Sequence, residues 1–348
     1  MATFSLTVTS GDVAATLTDY PAYVDLSEMP ASFWSTVTNG GGDIRVYSDA
    51  GLSTELAREV VTCATATDTG EVHVKVPSLT TSTVLYITVD GASTEPASGA
   101  TYGRNNVWTD YEVVYHGEMV SSVVIDSTGN YTATKYTGNT PTNPAGKVGD
   151  ALSPNSAYWD TGMNPQTTIG TGDFTMQYWN NFSTDSARRV ILGASRDGTF
   201  NDALQMLVYE SAVGNQNTIG ARAGTSGFVE NRGTAANGTY KMSHATRAGT
   251  TLSQYIDGTS IYSASNSEWG VNLGGTVSPV FMLGALYTSG ATVINAGSID
   301  EIRVRGSILS ANWITTEYNN QSDVAGFWTI AEASSFTPSP MLHLLQMM

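Results

Sequence analysis

The chain has 348 residues, 41% apolar and 13% charged, and a formal charge of −16 from 15 basic and 31 acidic side chains. That length supports two domains, each with a core of its own. An acidic chain without a basic cluster is not built to contact nucleic-acid phosphates or anionic lipid, because both contacts need Lys and Arg.

Thr, Ser, Gly and Asn take the surface that charges leave, which favours β-sandwiches over helical bundles. The single cysteine, Cys63, allows no intramolecular disulfide and no Cys-based zinc site. In "REVVTCATATDT" it reads as a small apolar core residue. The start, "MATFSLTVTSG", has neither the positive nor the apolar region of a secretory signal. No run reaches the roughly 18 apolar residues of a membrane span. The expectation is a protein that stays in its maker's cytoplasm or leaves by another route, without inserting in a membrane.

In chain order, "FSLTVT" (4–9) alternates apolar and polar as a half-buried strand does. "YPAYVDLS" (20–27) repeats the pattern, and "PASFWSTV" (30–37) is a short helical turn. "NGGGDIRVYSDAG" (39–51) is turn, strand, turn. "LAREVVTCA" (56–64), "GEVHVKVPSL" (70–79) and "VLYITVDG" (84–91) are three more strands. The aperiodic 90–105 leaves a first domain, 1–106, predicted as a β-sandwich.

A second domain, 107–330, begins with "VWTDYEVVYHGE" (107–118). Its predicted strands are 173–182, 188–195, 203–211, 240–249, 252–264, 278–286 and 298–306, a jelly-roll-like series. One helix is predicted at 310–319, capped by Ser310, with Ala311, Ile314 and Tyr318 on one face. The tail, 331–348, gathers Met341, Leu342, Leu344, Leu345, Met347 and Met348. It either packs on its own domain or docks on a neighbouring chain.

No catalytic pattern emerges. His73, His116, His244 and His343 show no metal-protease spacing and are expected to be structural. Asp300 and Glu301 are adjacent, so on a regular strand they face opposite sides and make no acid/base pair. "DSTGN" (126–130) puts Asp126 and Asn130 on a tight turn, and Asp300 could complete a Ca²⁺ shell there. The alternative is that Asp126 and Asn130 cap the turn through its backbone. Tyr158, Trp159, Trp179 and Trp269 are candidates for stacking on a sugar, or else core aromatics.

Several segments together resemble the concanavalin A-like, LamG-type jelly roll: "DSTGN", "GKVGDALSPNSAYWDTG" (146–162), "GDFTMQYWNNF" (172–182), "SHATRAGTTLSQYIDGTSI" (243–261) and "SIDEIRVRGSILSANWITTEYN" (298–319). The first half is similar to a small β-domain that often precedes such a module. The fold class expected is therefore all-β: two sandwiches, the second a concanavalin A-like jelly roll. The resemblance implies that the closing strand lies beside the opening one and that a short helix packs across the rim. It also implies for Asp300 a role as Ca²⁺ ligand or as hydrogen-bonding group. Tyr240 stands where the pattern has Trp, and no ring of exposed aromatics marks a sugar groove.

The function expected is a non-enzymatic virion structural or attachment protein: a bacteriophage head decoration, fibre or tail component, exposed on the particle and able to bind host glycans. Its partners would be other virion proteins or copies of itself, with a trimer as first guess. The alternative is a Ca²⁺-dependent carbohydrate-binding adhesin of a cell surface.

Overall fold

The computed structural model describes residues 1–182, 189–195, 203–211, 214–219, 231–234, 238–265, 267, 280–288, 291–294 and 297–333. Trp269, His343 and the apolar cluster of the tail lie outside the described residues. The architecture is all-β with antiparallel pairing, as the strand patterns predict.

The first sandwich packs a four-stranded sheet on a three-stranded one. The three-stranded sheet runs in the order Leu17–Asp25, Thr69–Leu79, Arg58–Ala64. Pro21 is tolerated because Leu17–Asp25 is an edge strand. Phe4, Leu6, Val46 and Ile87 from one sheet meet Val24, Val72 and Val74 from the other in a single core. Cys63 is buried in that core, and burial pushes its thiol up to about 11.

The second sandwich packs a six-stranded sheet on a larger one. The six-stranded sheet places the closing strand, Gly297–Arg305, between Phe174–Phe182 and the opening strand, Tyr111–Tyr115. Tyr115, Met176, Tyr178, Ile302 and Val304 meet Val124, Ala133, Trp159 and Leu283 of the facing sheet. Alternation along each strand selects these residues, because successive side chains point to opposite faces.

The chain does not stay in its second sandwich. The strand Trp328–Glu332 pairs with Ala2–Val8 and completes the first sandwich's four-stranded sheet. The boundary expected at 330 falls inside this strand. Trp328 and Phe327 are buried in the first core, together with Leu309, Trp313 and Ile314. The two sandwiches are therefore interleaved: the first takes strands from within residues 2–89 and from 328–332.

The helix runs Ala311–Ser322, and Ser310 caps it by accepting from the Trp313 N–H. Its inner face differs from the predicted one. Ala311 is exposed, whereas Trp313, Ile314, Thr316, Glu317, Asn320 and Gln321 are buried. That face is polar because it lies against two sandwiches and hydrogen-bonds both. Asn320 accepts from Tyr23 N at 2.8 Å and donates to Tyr23 O at 2.9 Å. Gln321 Oε1 accepts from Trp179 Nε1 at 2.6 Å.

Candidate functional site

The alternation that builds each core also builds a polar layer between the sandwiches. Along Thr69–Leu79, Val72 and Val74 enter the first core, so Glu71 and His73 project from the other face. Along Gly297–Arg305, Ile302 and Val304 enter the second core, and Arg303 projects away from it. These two outward faces meet.

Glu301 joins them through an irregularity. The pairing with Phe174–Phe182 shifts between Gln177 and Trp179, so the closing strand carries a bulge there. Glu301 has φ 50°, a left-handed conformation that costs a non-glycine residue about 1 kcal/mol or more. A regular strand would separate Asp300 and Glu301 to opposite faces. With the bulge, both are fully buried.

At the centre are Glu71, His73, His116 and Glu301, each offering one atom, all within 4.8 Å of one another. His73 Nε2 is 2.8 Å from Glu71 Oε1, and His116 Nδ1 is 3.3 Å from the same oxygen. His116 Nδ1 also hydrogen-bonds Glu301 Oε1, and His73 Nε2 lies 3.9 Å from that oxygen. The two imidazoles stack at 4.6 Å, and Trp108 lies against both.

Around this centre runs a ring of supports. His116 Nε2 meets Glu59 Oε2 at 3.1 Å. Glu59 also accepts from Trp108 Nε1 at 2.5 Å and from Ser127 Oγ at 2.6 Å. Arg303 bonds Glu301, reaches Glu317 at 2.7 Å, and stacks on Trp108 at 4.8 Å. Glu317 is held from its other side by His244 Nε2 at 3.1 Å. The turn around Gly146–Gly149 closes one side. Gly149 has φ 55°, and a Cβ there would stand 2.1 Å from Glu71 Oε2.

Carboxylates outnumber cations in this layer, and the protonation balance reflects it. Burial raises the Glu301 carboxyl, but Arg303 and His116 outweigh it and hold it well below the usual range. Burial likewise raises Glu59, and the His116 charge and hydrogen bonds bring it down. Burial lowers His116, yet Glu301 and Glu59 carry it well above the ordinary imidazole value. His73 is pushed down by burial. Glu71 is pushed up by burial and by Glu118, and Glu118 rises to about 7, chiefly through burial. Among the described residues, Glu71 Oε2, Glu118 Oε1, Asp300 Oδ1 and His73 Nδ1 find no hydrogen-bond partner.

The four central residues are at most 3% exposed. No substrate can reach carboxylates sealed this way, so the cluster can join domains, store protons or hold an ion, but cannot turn over a polysaccharide.

Asp126 sits elsewhere. Its oxygens accept from the backbone N–H groups of Val114, Thr128, Asn130 and Tyr131 and from Thr128 Oγ1. Asn130 donates to Glu112 O at 3.3 Å. This is turn capping, and a carboxylate so fully supplied with donors has little lone-pair capacity left for Ca²⁺. Asp300 Oδ2 accepts instead from Lys147 N and Val148 N at 2.8 and 2.9 Å. No contact among the described residues joins it to Asp126.

Trp159 and Trp179 are buried, with their indole N–H groups given to Ser122 O and Gln321 Oε1, so neither ring faces solvent. Tyr158 is buried and stacks at 5.5 Å on Tyr136, which is 59% exposed. Sequence reasoning missed the central cluster because His73 and His116 share no local spacing; only the charged alternation "EVHVK" and "DEIRVR" marked two strands with polar outer faces.

No family model and no curated protein matches this chain. Among solved structures, it is similar to domain 4 of the extracellular GH43 arabinanase AbnA from Geobacillus stearothermophilus, in complex with arabinotriose. That likeness has 18% identity and a TM-score of 0.44, covering 55% of this chain and 90% of that one. It is also similar to the binding domain of botulinum neurotoxin serotype D, at 10% identity and TM-score 0.45, covering 61% and 51%. A third likeness is to a Trypanosoma rangeli sialidase mutant displaying trans-sialidase activity, at 15% identity and TM-score 0.44, covering 66% and 34%. The chain thus spans about half of the toxin domain and a third of the sialidase.

Proposed function

We propose that this chain is a non-enzymatic binding and structural protein, and more finely a virion component of the attachment or decoration kind. Its second sandwich is read as a LamG-type module that meets host-surface glycans. The observation that carries the reading is the sealed cluster: the densest group of acid, base and metal-ligating side chains among the described residues is spent on joining two sandwiches. Interleaving supports it as well. A protein displayed on a particle must persist outside a cell, and a chain with one cysteine has no intramolecular disulfide to help it do so. The returning strand Trp328–Glu332, the helix between the sandwiches and the buried charge layer serve that end. Its partners are other particle proteins or further copies of itself.

Glycan contact is placed at Tyr136, whose exposed ring is backed by Tyr158. Two measurements test the reading. Antibody against the chain should co-sediment with intact particles from a producing culture, and the purified chain should release no reducing sugar from polysaccharides. Sustained turnover, or absence from every particle fraction, would overturn it. Glycan arrays with and without Ca²⁺, for the wild type and Tyr136→Ala, test the contact surface. Binding unaffected by the substitution would move the glycan site elsewhere, and Ca²⁺-dependent binding would favour the adhesin.

A further inference from the structure

We propose that Glu71, His73, His116 and Glu301 bind one divalent transition-metal ion, of the Zn²⁺ class, as a structural staple between the two sandwiches. The donor atoms are already gathered: one from each residue, all within 4.8 Å of one another, with Glu71 Oε1, His73 Nε2, His116 Nδ1 and Glu301 Oε1 making the contacts between them. Four tetrahedral ligands at ~2.0–2.2 Å from an ion stand roughly 3.3–3.5 Å apart. The spacings of 2.8, 3.3 and 3.9 Å fall on both sides of that value, and His116 Nδ1 and Glu301 Oε1, now hydrogen-bonded, must part as the ion enters.

The chemistry of the set selects the ion. Two imidazole nitrogens with two carboxylate oxygens suit Zn²⁺ and its neighbours, whereas Ca²⁺ and Mg²⁺ take oxygen alone. Two carboxylates cancel the ion's two charges, so the complex adds no net charge to an interior where charge is costly. Four protein ligands, each buried, describe a structural site rather than a catalytic one.

The surroundings are those of an oriented ligand shell. Glu59 already accepts N–H and O–H donors from Trp108 and Ser127, and it takes the Nε2–H of His116 as a third. This leaves the Nδ1 lone pair of His116 aimed at the centre, the carboxylate–histidine–metal arrangement that fixes a tautomer. Arg303 holds the second oxygen of Glu301 and leaves the first for the ion. The remaining oxygen of Glu71 is buried beside Gly149 with no partner among the described residues. Glu71 and His73 come from the first sandwich, His116 and Glu301 from the second, so an ion here cross-links the two. The proton shared by His116 and Glu301 leaves as the ion enters.

The test uses the full chain, stripped with EDTA, desalted and titrated with ZnCl₂. Elemental analysis should find one equivalent retained after gel filtration, with a rise in melting temperature of more than about 3 °C. Co²⁺ in place of Zn²⁺ should give the intense visible absorption of a four-coordinate site, which needs no variant. Glu71→Gln and His73→Ala should each lose the equivalent, while His343→Ala should keep it. Absence of retained metal in the wild type, or full retention in Glu71→Gln and His73→Ala with intact folds, would overturn the proposal.

Discussion

Glu59 is where the interleaved architecture can be tested most directly. It lies on Arg58–Ala64 of the first sandwich, yet Trp108, His116 and Ser127, all from beyond the first sandwich's expected end at 106, donate to it. Glu59→Ala strands three buried donors, each worth about 1–3 kcal/mol when left without a partner. The three share one relaxing network, so the expected loss is ~3–5 kcal/mol, the range for breaking a buried pair from one side. With about 2.1 cal/mol/K of unfolding entropy per residue, the 348-residue chain has ~0.7 kcal/mol/K, and the melting point should fall by roughly 4–7 °C. Glu59→Gln keeps one acceptor oxygen but turns an NH₂ toward a donor, so its loss should be smaller, about 1–3 kcal/mol. Differential scanning calorimetry at neutral pH gives the order, and a single endotherm is expected because the sandwiches share a strand and a helix. A loss below about 1 kcal/mol for the alanine variant, or a glutamine variant worse than alanine, would refute the view that these donors depend on Glu59.

Trp328→Ala removes a buried indole that fills the first core and donates to Tyr23 O at 2.8 Å; urea titration should show a loss of about 3–5 kcal/mol. Such a loss would come from a residue near the far end of the chain, in the other sandwich's expected range. Asp126→Ala leaves four backbone N–H groups and one hydroxyl without their acceptor and should cost ~3–5 kcal/mol, whereas EDTA should leave the wild type's Asp126 turn, followed by NMR, unchanged. Asp43 is raised by burial but lowered overall by hydrogen bonds from Thr38 and Gly91. Its folded value lies below the ordinary 3.8, so its contribution is present above that value and lost as pH falls through the folded one. Acid titration of stability should therefore be shallower for Asp43→Asn than for wild type below about pH 4.

Much of the fold was legible because its signals are local. Alternation marked the strands around Val72 and Val304, and Ser310 before an apolar run marked the helix start. The capping role of Asp126 was one of two readings of a D-x-x-G-N turn, and the turn's backbone donors favour it. Of the helix face expected from apolar spacing, Ala311, Ile314 and Tyr318, Ile314 is buried but Ala311 is exposed, because the buried face joins Trp313 and Ile314 to the polar Thr316, Glu317, Asn320 and Gln321. Polar residues at helical spacing ordinarily mean solvent. Here they meet a second sandwich that satisfies them.

By itself, the sequence determined an all-β chain in two sandwiches, with apolar residues at every second position, because a strand's period of two needs no knowledge of its neighbours. Tertiary structure alone decided what covers the other face. Glu71, His73, Glu301 and Arg303 look like a solvated stripe until two outward faces meet and exclude water. It alone decided, too, that Trp328 returns to Ala2–Val8, since hydrogen-bond pairing depends on which edge is free and not on distance along the chain.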